Sequence, residues 1–256
     1  YAKRFNLVDN LEPMLSMSLG SGETTLMRMT TAYAMLVNGG KRIQPTLIDK
    51  IQDRAGKTIF RHDDRPCVGC DTIRWDEEYL PQLPDNREQI ADPKTAYQIV
   101  SMLEGVVKRG TGRRISTIGK PLAGKTGTTN ESRDTWFVGF SPDLAVGVYV
   151  GFDKPKPLGK RETGSSVAAP IFKSFMEAAL KDKPAIPFRV PPGLQLVRVD
   201  SRTGEPVRKG SRGVILEAFL PGTVPISKGR ILDGSDGNPR SGSGVATPTR
   251  KLRGLY

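Results

Sequence analysis

The chain has 256 residues, 37% of them hydrophobic and 26% charged, and its 39 Lys and Arg against 27 Asp and Glu leave a net charge of +12. That is enough chain for one sizeable core plus an appendage, and because no run of about eighteen apolar residues occurs, no membrane-spanning helix is expected within it. Tyr1-Ala2-Lys3-Arg4 resembles neither a signal peptide nor an anchor. The basic surplus carries no interleaved aromatic platform, no helix-turn-helix and no zinc pattern, so no nucleic-acid partner is expected.

Taken in chain order, Thr24 or Thr25 can cap a first helix whose stripe is Leu26, Met29, Tyr33, Leu36 and Val37, stopped by Asn38-Gly39-Gly40. Pro45 to Lys50 and Lys57 to Arg61 flank Asp53-Arg54-Ala55-Gly56, a hairpin signal. His62 to Ile90 is charged, proline-bearing and aperiodic, hence a surface excursion. It holds the only two cysteines, Cys67 and Cys70, whose C-x-x-C spacing suits a redox pair, half a zinc site or a small disulfide. Zinc needs two more ligands and His62 is the only histidine, so no metal is expected. The same scarcity leaves no credible Ser-His-Asp triad.

Asp92-Pro93 opens a second helix with Ala96, Ile99, Val100, Leu103, Val106 and Val107 inward and Gly110 at its end. Arg109, Arg113 and Arg114, around Gly110 and Gly112, lead into Leu122-Ala123-Gly124-Lys125-Thr126-Gly127-Thr128-Thr129. Gly119 to Thr126 matches the phosphate-loop pattern G-x-x-x-x-G-K-[ST] in full, yet that loop must open a helix whose amides hold phosphate. Gly127 to Ser132 is poor helix-opening sequence, and two strand patterns come after it, Trp136 to Phe140 and Ala145 to Phe152, turned at Ser141-Pro142-Asp143. An antiparallel meander is expected, not a nucleotide site. A third helix from about Pro170 to Leu180 carries Phe172, Phe175 and Met176.

After Leu180 the character changes. Residues 186 to 256 hold twelve Lys and Arg against five Asp and Glu, with Pro and Gly throughout. Leu194 to Val199 reads as one strand followed by a turn, and Gly210 onward has too few apolar residues for a core. We therefore expect residues 186–256 to be a basic Pro/Gly-rich extension, partly disordered.

Read as a strand, Lys125-Thr126-Gly127 resembles the Lys-Thr-Gly element of penicillin-binding proteins and serine β-lactamases. The longer match Gly124 to Thr129, then Asp134 to Phe140, then Val148 to Asp153 is similar to the transpeptidase domain of bifunctional class A penicillin-binding proteins. Ser18 to Thr25 and Ala32 to Gly40 extend the similarity upstream, to about residues 10 to 180. The resemblance implies a mixed α/β fold, an antiparallel sheet flanked by helices, incomplete at its N-terminus, with residues 1–185 as the C-terminal part of the domain and some core faces left bare. It also implies a nucleophile that this sequence lacks. No serine here has Lys three positions on or Asn two positions on, so both the Ser-x-x-Lys and the Ser-x-Asn motif are missing and are expected before Tyr1.

The chemistry of acyl transfer indicates what such a strand can do. Acyl transfer from a D-alanyl-D-alanine stem peptide, or from a β-lactam that mimics it, creates an oxyanion at the attacked carbonyl while the ligand's carboxylate stays charged. The resemblance assigns the Thr128 backbone N–H to the oxyanion, the Thr126 and Thr128 hydroxyls to the carboxylate, with Thr129 beside them, and Lys125 to positive potential and proton movement; Gly127 leaves the edge open to a ligand backbone. Such a donor is worth roughly a hundred- to a thousandfold in turnover. In an exported enzyme of this kind Cys67 and Cys70 are expected to form a disulfide, and no cofactor is needed. The implied parent is a glycan polymerase and peptide cross-linker on the periplasmic face of the bacterial inner membrane, working with divisome, elongasome or outer-membrane regulators. The competing reading is a noncatalytic wall- or partner-binding module of the same fold.

Overall fold

The computed structural model describes residues 1–66, 83–208 and 210–225. Cys67 and Cys70 lie outside the described residues. A helix α1 (Leu26–Val37) is followed by strands β1 (Lys50–Gln52) and β2 (Thr58–Arg61), helix α2 (Pro93–Arg109), strands β3 (Ala123–Thr128), β4 (Thr135–Phe140) and β5 (Ala145–Val150), helix α3 (Ala169–Ala179), and strands β6 (Gln195–Asp200) and β7 (Val214–Phe219). β3, β4 and β5 form the central antiparallel sheet in sequence order. The expected mixed α/β body is therefore present, its sheet flanked by helices.

Local signals account for the element ends. The Thr25 hydroxyl accepts from the Arg28 N–H to start α1, and the Asp92 carboxylate accepts from the N–H groups of Lys94 and Thr95, with Pro93 at the first helical position of α2. Each such cap stabilises its helix by about 1 kcal/mol. The Ser141 hydroxyl accepts from the Asp143 and Leu144 N–H groups and closes the β4–β5 turn.

Alternation along β4 distributes the core between two layers. Phe137 points to one face and packs on Phe172 of α3, ring centroids 4.7 Å apart, with Ile115, Leu122 and Met176 around them. Phe140, three residues on, points to the other face and meets Val100 and Leu103 of α2, with Tyr33, Leu36 and Val37 of α1 at the margin. The stripe expected of α1 is thus half-buried, and its deepest side chains are Ala32 and Met35, which pack with Phe5, Ile90 and Ala91. α1 is covered on two sides, which a single stripe does not anticipate. One other inward assignment is corrected: Ile99 is 37% exposed because the buried arc of α2 runs through Ala96, Val100, Leu103 and Val107. On α3, Phe172 and Met176, one turn apart, take the inward face and leave Phe175 exposed.

Beyond Leu180 the chain does more than expected. Phe188 is buried against Phe140, centroids 5.7 Å apart and nearly perpendicular, and β6 pairs with β7, an apolar strand that the expectation of too few apolar residues after Gly210 had left out. The hairpin borrows a surface instead of building its own core. The Gln98 amide of α2 donates to the Ala218 carbonyl, and Arg109 pairs with Glu217.

The excursion after β2 returns to the end of α1. Backbone bonds from Arg42 N–H to Glu88 O and from Ile90 N–H to Gly40 O close it, and Asp85 is held by Arg87 and Lys41. Hydrogen bonds from Arg87 first, then Lys41, hold the Asp85 carboxyl well below the usual carboxylate range. A depressed folded value means the stabilisation is complete above the unfolded value near 4 and lost as pH falls through the folded one. Asp85→Asn should therefore lower the melting temperature slightly at pH 7, and the gap from wild type should close on acidification below about pH 4; thermal scans at pH 7, 5 and 3 check this.

Candidate active site

The site is built on the open edge of β3. Its partner β4 pairs Lys125 with Val138, Gly127 with Trp136 and Thr128 with Thr135. Just past the strand the Thr129 N–H donates to the Asp134 carbonyl, and beyond the other end of β4 the Ser141 N–H donates to the Leu144 carbonyl. Hydrogen-bonded and non-bonded pairs alternate in an antiparallel ladder, so both anchors give one parity: the amides of Gly127 and Lys125 face β4, while those of Thr126 and Thr128 face outward. A free row of donors is left where a ligand backbone can add.

Side chains bracket that row from both faces. The Thr126 and Thr128 side chains lie on the α3 side of the sheet. The Thr126 hydroxyl is 2.9 Å from the Thr111 hydroxyl, and the Thr128 hydroxyl accepts from the Gly164 N–H at 3.0 Å, which leaves its own proton free to donate. Lys125 reaches the edge from the opposite face, its ammonium 3.0 Å from the Thr126 carbonyl, and it has no carboxylate partner among the described residues. An unpaired cation, two hydroxyls and outward amides within one strand form a receptor for an anion attached to an extended backbone.

Thr129 is used differently. Its hydroxyl accepts from the Asp134 N–H at 2.8 Å and closes the β3–β4 turn, where the Tyr149 hydroxyl also donates to Asp134 at 2.7 Å. That bond, before burial, raises the Tyr149 phenol above its usual value. Glu131 and Ser132 in this turn adopt positive φ.

Three participants were not singled out from sequence. A single π turn, Gly164–Ala168, precedes α3 and is capped by reciprocal bonds between Thr163 and Ser166. It rests on β3 so closely that a Cβ on Gly164 would lie 2.6 Å from the Gly127 carbonyl and 2.5 Å from that of Trp136. From the same turn the Ser165 hydroxyl donates to the Thr111 carbonyl at 2.8 Å. The only sequence signal was Thr111 set between Gly110 and Gly112, a turn pattern without obvious chemistry. Concavity points elsewhere: a groove of about 540 Å³ lined by Tyr97, Pro142, Phe188 and Pro192 lies at the far end of the sheet, away from Lys125. Because β3 runs into a tight turn whose only helical feature is a single irregular 3-10 turn, Asn130–Ser132, and then into β4, not into an α-helix, the phosphate-loop reading is excluded by geometry.

The family model of the penicillin-binding protein transpeptidase domain matches residues 8–177. The chain belongs to the penicillin-binding protein transpeptidase family. Penicillin-binding protein 1A of Rickettsia conorii is 46% identical over 239 residues, which is 92% of this chain and 30% of that protein. The crystal structure of penicillin-binding protein 1A from Haemophilus influenzae superimposes with a TM-score of 0.69 at 31% identity, over 88% of this chain and 36% of that one. The PonA1 protein of Mycobacterium tuberculosis in complex with penicillin V shares the fold, with a TM-score of 0.58 at 23% identity over 75% of this chain and 54% of that one. This chain spans about 30% of the length of the curated penicillin-binding relative. Lys125, Thr126, Gly127 and Thr128 all fall inside the matched transpeptidase segment.

Proposed function

We propose that this chain supplies the Lys-Thr-Gly wall of a serine acyl-transfer site that cross-links peptidoglycan stem peptides, and that residues 1–185 are the C-terminal part of that domain. The outward Thr128 N–H, set between the Lys125 ammonium and two hydroxyls, is the observation that carries this reading. A serine from a preceding segment attacks the carbonyl of the penultimate D-alanine. The Thr128 N–H, already aimed and needing no reorganisation, stabilises the oxyanion. The terminal D-alanine leaves with a proton, and an amine from a neighbouring stem peptide then takes the acyl group and releases the serine. Lys125, Thr126 and Thr128 hold the terminal carboxylate, whose position fixes the carbonyl against the donor. A β-lactam enters the same path, but ring opening expels no fragment and the acyl-enzyme persists.

The whole protein, on this reading, also polymerises glycan strands and works at the periplasmic face of the inner membrane, meeting divisome, elongasome or outer-membrane regulators there, with residues 186–256 as an extension of the domain. Neither metal nor cofactor enters these steps. Thr129 is left out of the carboxylate anchor because its hydroxyl closes the turn.

Fluorescent penicillin tests the central claim. The present chain alone should take no covalent label, since neither serine motif occurs in it, whereas the full-length protein should label at one serine. A stable, site-specific adduct on the present chain, or an unlabelled full-length protein of intact fold, would sink the assignment, and the second result would favour a binding module.

A further inference from the structure

Thr111 is placed where it can decide which way the Thr126 hydroxyl points. The two hydroxyl oxygens are 2.9 Å apart, so one of their two protons lies between them and the other faces outward. The Thr111 backbone is fixed from three directions. The Gly110 and Gly112 N–H groups both donate to the Val106 carbonyl at the end of α2, and the Ser165 hydroxyl donates to the Thr111 carbonyl. Gly112 is buried, and a Cβ placed on it would lie 3.3 Å from that same Val106 oxygen, so the loop has little room to shift.

We propose that Thr111 is a positioning residue for substrate recognition: its O–H donates to the Thr126 oxygen and turns the Thr126 proton outward onto the ligand's carboxylate. An anion at the strand edge favours this order, because a hydroxyl that donates to a charge becomes a better acceptor, and the chain Thr111 to Thr126 to carboxylate strengthens cooperatively. The inference rests on the reading of β3 as a carboxylate anchor. Its consequence is selective: Thr111 matters for ligands with a free carboxylate and not for ligands that lack one.

The experiment compares acylation of the full-length protein by benzylpenicillin and by its methyl ester, for wild type and for Thr111→Val, Thr111→Ser and Thr126→Val, with melting temperatures measured alongside. Thr111→Val should slow acylation by the free acid about five- to tenfold, the effect of one lost hydrogen bond to a group that binds charge, and leave the ester rate within about twofold. Thr111→Ser should restore the preference for the acid, which a purely structural role of the side chain would not require. Selective loss in Thr126→Val without selective loss in Thr111→Val overturns the inference and leaves the anchor standing. No selective loss in Thr126→Val removes the anchor itself, and the inference with it.

Discussion

In the full-length protein, Lys125→Ala is expected to lower the second-order rate of acylation by penicillin about thirty- to a thousandfold while leaving the melting temperature close to that of wild type. The ammonium has no carboxylate partner among the described residues, so its removal breaks none of the ion pairs formed among them. What it removes is the positive potential at the one edge where the amides of the strand face outward. The contact with the Thr126 carbonyl, at 3.0 Å, holds the charge there before a ligand arrives. Thr126→Val should weaken the same step to a smaller degree, because it takes one hydroxyl from the same anchor. As an ordinary solvated edge residue, Lys125 would change neither stability nor rate by more than a small factor. An unchanged acylation rate in Lys125→Ala would therefore return the strand to the status of a surface feature.

Gly164→Ala should be as damaging, for a steric reason. The added methyl carbon would fall 2.6 Å from the Gly127 carbonyl and 2.5 Å from that of Trp136, both backbone atoms of the sheet that cannot rotate away. The π turn must back off, and overpacking of this kind costs roughly 1 to 3 kcal/mol. Retreat also lengthens the 3.0 Å bond from the Gly164 N–H to the Thr128 hydroxyl and pulls Ser165 from the Thr111 carbonyl. A displacement of about 1 Å in a positioned reacting group costs on the order of a hundredfold in rate. Acylation rate and thermal unfolding measured on one preparation should fall together. A normal rate with a lowered melting temperature would show that the turn supports the fold without setting the geometry of the strand.

Much of the frame was legible because its signals are local. Thr25 and Asp92 mark helix starts through bonds from amides two or three residues away, Pro93 by occupying the first helical position, and Ser141 closes its turn through bonds like those of the caps. Strand alternation in Trp136 to Phe140 and Ala145 to Val150 predicts the meander, and with it the rejection of the phosphate loop. Less legible were faces covered from two sides. Met35 and Ala32 are the deepest residues of α1 because the segments around Phe5 and Ile90 close over them, which no single stripe encodes. β7 was not expected because its short apolar run, Val214 to Phe219, is diluted when the Gly- and Ser-rich stretch from Gly210 onward is read as a whole.

Most of the elements as far as α3, their order and the residue types of the strand edge can be read along the chain, since caps, turns, alternation and a Lys-Thr-Gly run act over a few residues. Tertiary structure alone decided which way those groups face and what they touch. The parity of the ladder, set by anchors at Thr129 and Ser141, turns the Thr126 and Thr128 amides outward and those of Lys125 and Gly127 inward. Thr111 lies 15 residues before Thr126, and Gly164 lies 36 residues after Thr128, yet both meet β3 because α2 ends, and α3 begins, against the same face of the sheet. Contacts of that kind depend on packing between elements, and packing has no signature in the spacing of residues along one of them.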